Sequence, residues 1–256
     1  MKRTGSFIRQ TFFYFINAVL SAALGILVNK IFALYLDPGD YGAYSVLFGI
    51  FSLFSSAIMA IFSNAILRYY KEYEHSNKLN ELFSALIKML MVTFLTFSIL
   101  ATVLVISIQN KIDPLYFQLI VLLILLFVPD GIKQIGAIFA RCQGKAIRQL
   151  TASTTEHILK IVVFCACFFG LNIGVSSILW ATLTATVSSA LLYLDVWKIS
   201  GNFLSIKTKQ TSKKLLKFGL PLIGIPIINY LLSTSDQLII KMFCGDYDAG
   251  LYAMGY

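Results

Sequence analysis

The sequence predicts an all-α, polytopic membrane helix bundle. Three observations carry that expectation: 58% of the 256 residues are hydrophobic, only 13% are charged, and the apolar residues fall in long continuous blocks. A soluble domain carries roughly 25% charged residues, the polar surface it needs in water. The mean hydropathy of +0.79 points the same way. A helix of about 20 apolar residues crosses a hydrocarbon core about 30 Å thick. The blocks are apolar throughout and do not alternate, which fits helices and not a β-barrel.

Seven blocks meet this criterion, at roughly 11–36, 42–67, 83–108, 115–140, 151–170, 175–197 and 218–243, and an eighth opens near Ala249. Lys2, Arg3 and Arg9 precede the first. A cleaved signal peptide does not fit, because the run is too long, contains Asn17, Asn29 and Lys30, and is followed by further spans. Arg68, Lys71 and Lys78 lie between the second and third blocks, and Arg141, Lys145 and Arg148 between the fourth and fifth. Lys198, Lys207, Lys209, Lys213, Lys214 and Lys217 lie between the sixth and seventh. The intervening loops are poor in cations: 109–114 has Lys111 alone, and 37–41, 171–174 and 244–248 have none. Basic loops thus alternate with non-basic ones, which places the N-terminus and the even-numbered loops in the cytoplasm. The net charge of +9 is therefore a mark of topology, and no nucleic-acid partner is expected. The chain is expected in a membrane, with membrane lipids around it.

Cys142, Cys165, Cys167 and Cys244 show no metal-site spacing and imply no disulfide framework. No nucleophile elbow, phosphate loop or metal-ligand cluster appears, so neither an enzyme nor a cofactor is expected.

The sequence also carries a candidate internal repeat, with coincidence in a short motif as the alternative reading. Asp40-Tyr41-Gly42-Ala43-Tyr44 follows the first block, and Asp248-Ala249-Gly250-Leu251-Tyr252 follows the seventh. Both read D-x-G-x-Y, 208 residues apart; at the same offset Arg9 falls on Lys217 and Asn29 on Gln237. Six spans separate the copies, so they share one orientation and form a parallel repeat. The expected organisation is a six-helix lobe over 1–198, a basic cytoplasmic linker over 199–217, and the start of a second, pseudo-symmetric lobe over 218–256. The linker's lysines, interleaved with Phe203, Leu204, Ile206, Leu215 and Leu216, suit an anionic membrane surface.

Two stretches resemble a known family. One is Leu36-Asp37-Pro38-Gly39-Asp40-Tyr41-Gly42-Ala43-Tyr44-Ser45 with its following span ending Ala65-Ile66-Leu67-Arg68-Tyr69-Tyr70. The other runs from Phe218-Gly219-Leu220-Pro221 through Ser235-Asp236-Gln237-Leu238-Ile239-Ile240 to Gly250-Leu251-Tyr252. Together they resemble the polysaccharide-biosynthesis flippases, the O-antigen, capsule and teichuronic-acid exporters of the multidrug/oligosaccharidyl-lipid/polysaccharide (MATE-like) superfamily. The resemblance implies two pseudo-symmetric helix bundles working by alternating access. It implies a polyprenyl-pyrophosphate-linked oligosaccharide as substrate and a polysaccharide polymerase as a candidate partner. Here the second bundle stops after its first helix, so the sequence reads as part of a longer protein. The rival readings are a cation-coupled multidrug exporter of the same superfamily and an inactive or assembly remnant.

Ionisable residues at bilayer depth cost roughly 2.5–3.5 kcal/mol each on insertion scales and need a reason. Lys30 in the first span has no acidic neighbour in its own helix. Asp130 and Lys133 lie three apart on the fourth, and Glu156 and Lys160 four apart on the fifth, so each pair can neutralise itself. Lys30, Lys133 and Lys160, with Arg68 at the mouth, are the candidate cations for a pyrophosphate; Arg68 also reads as a snorkelling anchor. Asp130, His157 and Asp236 are candidates for coupling or gating, with helix packing and an interfacial histidine as the alternatives. Asn17, Asn29, Asn64 and Asn229 bond either sugar hydroxyls or neighbouring helices. Pro221 and Pro226, flanked by Gly219 and Gly224, interrupt the seventh span and mark a hinge; Pro129 marks a second candidate.

Overall fold

A computed structural model describes residues 2–109, 112–196 and 208–255, with the backbone alone for 2–8, 108 and 196. The expected loop cations Lys111, Lys198 and Lys207 lie outside the described residues. The described chain is helical: α1 (Lys2–Tyr35), α2 (Pro38–His75), α3 (Leu79–Ile108), α4 (Pro114–Cys142), α5 (Ala146–Cys165), α6 (Ser176–Leu192), α7 (Lys209–Gly219), α8 (Gly224–Cys244) and α9 (Asp246–Gly255). A π-turn, Ala166–Gly170, extends α5, and a 3₁₀ turn, Leu220–Ile223, joins α7 to α8. Six helical segments are long and apolar enough to span a bilayer: Arg9–Tyr35, Pro38–His75, Leu79–Ser107, Pro114–Cys142, Ala146–Gly170 and Lys209–Cys244. The chain is a multi-pass membrane protein.

Two predicted spans differ in length. Helix α6 has 17 residues, about 25 Å at the helical rise, short of a full crossing. Helix α2 has 38 residues, about 57 Å, and continues well past the bilayer core. Its charged tail stays helical because Lys71 pairs with Glu74 at 2.6 Å, three residues on. Ser76 then closes the end by bonding the Glu72 carbonyl at 2.9 Å. The stretch between the second and third apolar blocks, expected as a loop, shrinks to the turn before Leu79. Likewise, the described part of the 199–217 linker is helical from Lys209 onward.

Helices α1 and α5 run parallel and in register. Asn17 accepts from Ser153, Gly25 faces His157, Phe32 packs on Phe164 with ring centroids 4.6 Å apart, and Tyr35 meets Phe168. Asn17 therefore serves helix packing. Starts are set locally: Pro38 and Pro114 occupy first-turn positions, where a missing N–H costs nothing, and Asp37 caps the Gly39 amide at 2.9 Å. Gly144, at φ +68°, makes the tight α4–α5 turn.

The apolar core is split in two. One cluster, toward the end that carries the basic loops, packs Met59, Ile66, Phe83, Phe139 and Tyr193. The other, toward the far end, packs Phe32, Tyr44, Leu119, Phe164 and Ile178. Helices α1, α3 and α8 expose apolar rows such as Leu95, Ile99 and Val103 on α3, the surface expected against lipid.

Candidate functional site: a polar layer between two apolar cores

Polar groups of α2, α4, α5 and α6 fill the gap between the two clusters. Lys133 on α4 lies 3.2 Å from Asp130 on its own helix and 3.0 Å from Glu156 on α5. Asp130 also accepts from Ser55 of α2 at 2.6 Å and from Gln134 at 2.8 Å. A cavity of about 150 Å³ opens beside this network, lined further by Ser52, Lys160, Thr182 and Thr186. A second cavity of about 300 Å³ shares Lys133, Gln134 and Glu156 and continues past Ser153, Ser189, Tyr193 and Arg141. Both are large enough and polar enough to hold water. Two carboxylates and two amines meet here, so their formal charges balance.

The predicted pairs form in part. Asp130 and Lys133 meet as expected. Glu156 bonds Lys133 across the helix interface, and Lys160 carries no ion pair among the described residues. The rotation of α5 decides this: it aims the Glu156 carboxylate at α4. His157 sits near the middle of α5 and not at its edge, because the helix begins at Ala146. Its ring faces α1 at Gly25, and its Nδ1 is buried with no partner among the described residues.

The other candidates stay apart from this layer. Lys30 is exposed on α1 with no charged partner among the described residues, and Arg68 is exposed on α2. Asp236 is exposed on α8, where it accepts from Tyr252 of α9. Pro221 lies inside the 3₁₀ turn that breaks the last span, and Pro226 lies in the first turn of α8. The interruption is as predicted, and both prolines sit where a missing amide is tolerated.

Sequence reasoning passed over Ser55, Gln134, Thr182 and Thr186. Hydroxyls in apolar helices commonly bond back to their own backbone, as Thr184 does to Trp180 at 2.9 Å. The i, i+4 spacing of Thr182 and Thr186 was the only mark of a shared face.

The model of one family, described as polysaccharide biosynthesis protein, matches residues 7–256. The chain belongs to that family. No curated protein matches it. Among solved structures it resembles an inward-facing multidrug resistance MATE family transporter of the MOP superfamily, with TM-score 0.60 and 17% identity. The match covers 91% of this chain and 56% of the other, so this family member spans little more than half that structure's length. At this identity the likeness is one of fold.

Proposed function

We propose that this polysaccharide-biosynthesis family member acts in a membrane transporter that flips a polyprenyl-pyrophosphate-linked oligosaccharide across the cytoplasmic membrane by alternating access. The observation that carries the reading is Lys30. It is exposed within an apolar helical segment long enough to span a bilayer, with no charged partner among the described residues. Facing lipid, such a group costs about 3 kcal/mol; facing an aqueous cavity, it offsets the charge of a passing diphosphate. Lys133 is already compensated by Asp130 and Glu156. Of the candidate cations, Lys30, Arg68 and Lys160 carry no ion pair among the described residues, and Lys30 and Arg68 are the exposed ones. The hydroxyl- and amide-rich cavities supply hydrogen bonds suited to sugars. By the charge alternation of the loops, the basic end is cytoplasmic and the far end external.

The test uses the full-length protein in liposomes with a labelled polyprenyl-diphosphate oligosaccharide. The expected result is movement of the labelled head group between leaflets, falling several-fold for Lys30→Ala at equal incorporation. Full movement by that variant removes Lys30 from the path. Efflux of cationic dyes without oligosaccharide movement would transfer the protein to the drug-exporter reading. For orientation, cysteines at 112–114 or 171–174 should react with an impermeant maleimide from outside, and cysteines at 69–78 or 141–148 should not. The reverse pattern overturns the topology.

A further inference from the structure

The two copies of the repeated motif touch each other. At the far end, a Cβ on Gly42 of α2 would stand 2.0 Å from the carbonyl oxygen of Asp246 and 2.8 Å from the amide nitrogen of Gly250. A Cβ on Gly250 of α9 would stand 1.8 Å from the carbonyl oxygen of Pro38 and 3.0 Å from the amide nitrogen of Gly42. The repeat offset of 208 carries Pro38 onto Asp246 and Gly42 onto Gly250. Each glycine thus meets the residue that the other glycine's partner corresponds to. The contact is reciprocal, the geometry of a two-fold axis passing between the copies. Backbones approach this closely only without side chains, which explains glycine at both positions.

Polar bonds surround the crossing. Gln237 of α8 donates to Ser45 of α2. Tyr116, at the start of α4, donates to Asp246, and Lys241 of α8 pairs with Asp246 at 2.8 Å and donates to Tyr116 at 2.8 Å. Deeper between α2 and α8 lies Tyr230, buried, its hydroxyl against Gly49 and without a hydrogen-bond partner among the described residues. The crossing therefore seals a buried seam from the far end.

We infer that the Gly42–Gly250 crossing, fastened by Tyr116, Lys241 and Asp246, is the external gate of the transporter. This rests on the transporter reading above and adds the residues that close its outer side. The construction suits repeated opening. Two smooth backbones part without leaving side-chain holes, and the partly exposed ion pair exchanges its partner for water at little cost. Toward the other end of α2, by contrast, the seam is filled by side chains, with Leu215 of α7 fully buried against the core.

The test is made on the membrane-embedded full-length protein with its native cysteines replaced by serine. Tyr230→Cys reports opening by its rate of reaction with an impermeant maleimide added outside. Gly42→Leu and Gly250→Leu should each raise that rate about tenfold or more, the population shift that about 1.4 kcal/mol produces, and by similar amounts because the contact is reciprocal. Asp246→Asn, which keeps the glycine backbone free of clashes, should raise it less. Unchanged rates in all three overturn the gate. Should the leucine variants fail to insert, Asp246→Asn and a disulfide pair decide. Ser45→Cys with Gln237→Cys should cross-link under oxidant and stop transport, and reductant should restore it. Failure to cross-link, or full transport when cross-linked, also overturns the gate. If labelling responds but even the unmodified protein moves no lipid-linked oligosaccharide, the substrate reading fails and the gate stands.

Discussion

The same kind of ion pair occurs at mid-depth and at both ends of the bundle, in different surroundings. At mid-depth, Lys133 and its partners Asp130 and Glu156 have side chains only 22%, 15% and 16% exposed. At the basic end, Lys214 and Glu72 are 41% and 59% exposed at 2.7 Å, with Lys214 also 4.5 Å above the Tyr69 ring. At the far end, Lys241 and Asp246 fall between, at 25% and 35%. Contact distances hardly differ, so distance does not rank these pairs. Burial does: charges that have left water cannot regain it when a partner is removed, whereas charges at the rim can. The comparison predicts a graded series of effects for one and the same operation, deletion of a lysine or its carboxylate.

The largest effect belongs to the layer. Lys133→Met leaves two carboxylates facing each other with only Lys160 nearby. Removing one member of a buried pair costs roughly 3–5 kcal/mol, and water in the adjoining cavities should hold the loss near the lower figure. Thermal unfolding in detergent should show a clear fall in Tm. Adding Asp130→Asn and Glu156→Gln should recover much of it, since amides need no counter-charge. A Tm equal to that of the parent would mean that the layer is as well hydrated as the ends, and the ranking by burial would collapse.

How much of this was written in the sequence depends on whether the partners share a helix. Asp130 and Lys133 could be paired by counting residues, because spacing fixes geometry along one helix. Glu156 could not be assigned to Lys133, because that needs the rotation of α5 against α4, and a hydropathy pattern leaves this open to within a face. The spans themselves were legible from block length, but the ends were not. Hydropathy marks where apolar residues stop, and α2 continues as a helix beyond that point on ion pairs and on Tyr70 and Tyr73 packed against its neighbours. The D-x-G-x-Y copies were legible as equivalent positions. Their mutual contact was not, since equivalence in topology says nothing of which helices touch. Tyr116 has no sequence mark at all; one tyrosine among 13 becomes a latch residue only through the fold.

The intermediate effect belongs to the far end and has a pH signature. Asp246 opens α9, faced by Lys241 of α8 and Tyr116 of α4. Burial alone would raise its carboxyl, but the bonds from Lys241 and Tyr116 outweigh this and hold it below the ordinary carboxylate value. A depressed value in the closed form means stabilisation that is fully present above the ordinary value, about 3.9, and is lost as pH falls through the lower, folded value. Asp246→Asn should therefore lower stability across neutral and mildly acidic pH. The difference from the parent should close only in strong acid. Tm measured against pH for both proteins checks this. A difference that closes already between pH 6 and 7 would show that another group controls the latch.

The smallest effect belongs to the basic end. Lys214→Ala removes one ion pair and two cation–π contacts, with Tyr69 and Tyr73, all at an exposed site. Exposed pairs contribute about 0–1 kcal/mol, and cation–π contacts in water about 0.5–1 kcal/mol. The neighbouring contacts survive the change: Tyr73 still donates to Thr211 at 3.1 Å, Thr211 to Glu81, and Leu215 stays buried beneath them. Tm should fall by only a degree or two, and raised salt should shrink even that, because exposed charges are screened over about 10 Å at 0.1 M. The Lys133→Met loss should resist the same salt, since ions do not enter the layer as freely as they reach the rim. Equal salt sensitivity at both sites would show that the mid-depth charges communicate with bulk solvent, and the layer would have to be redrawn as an open vestibule.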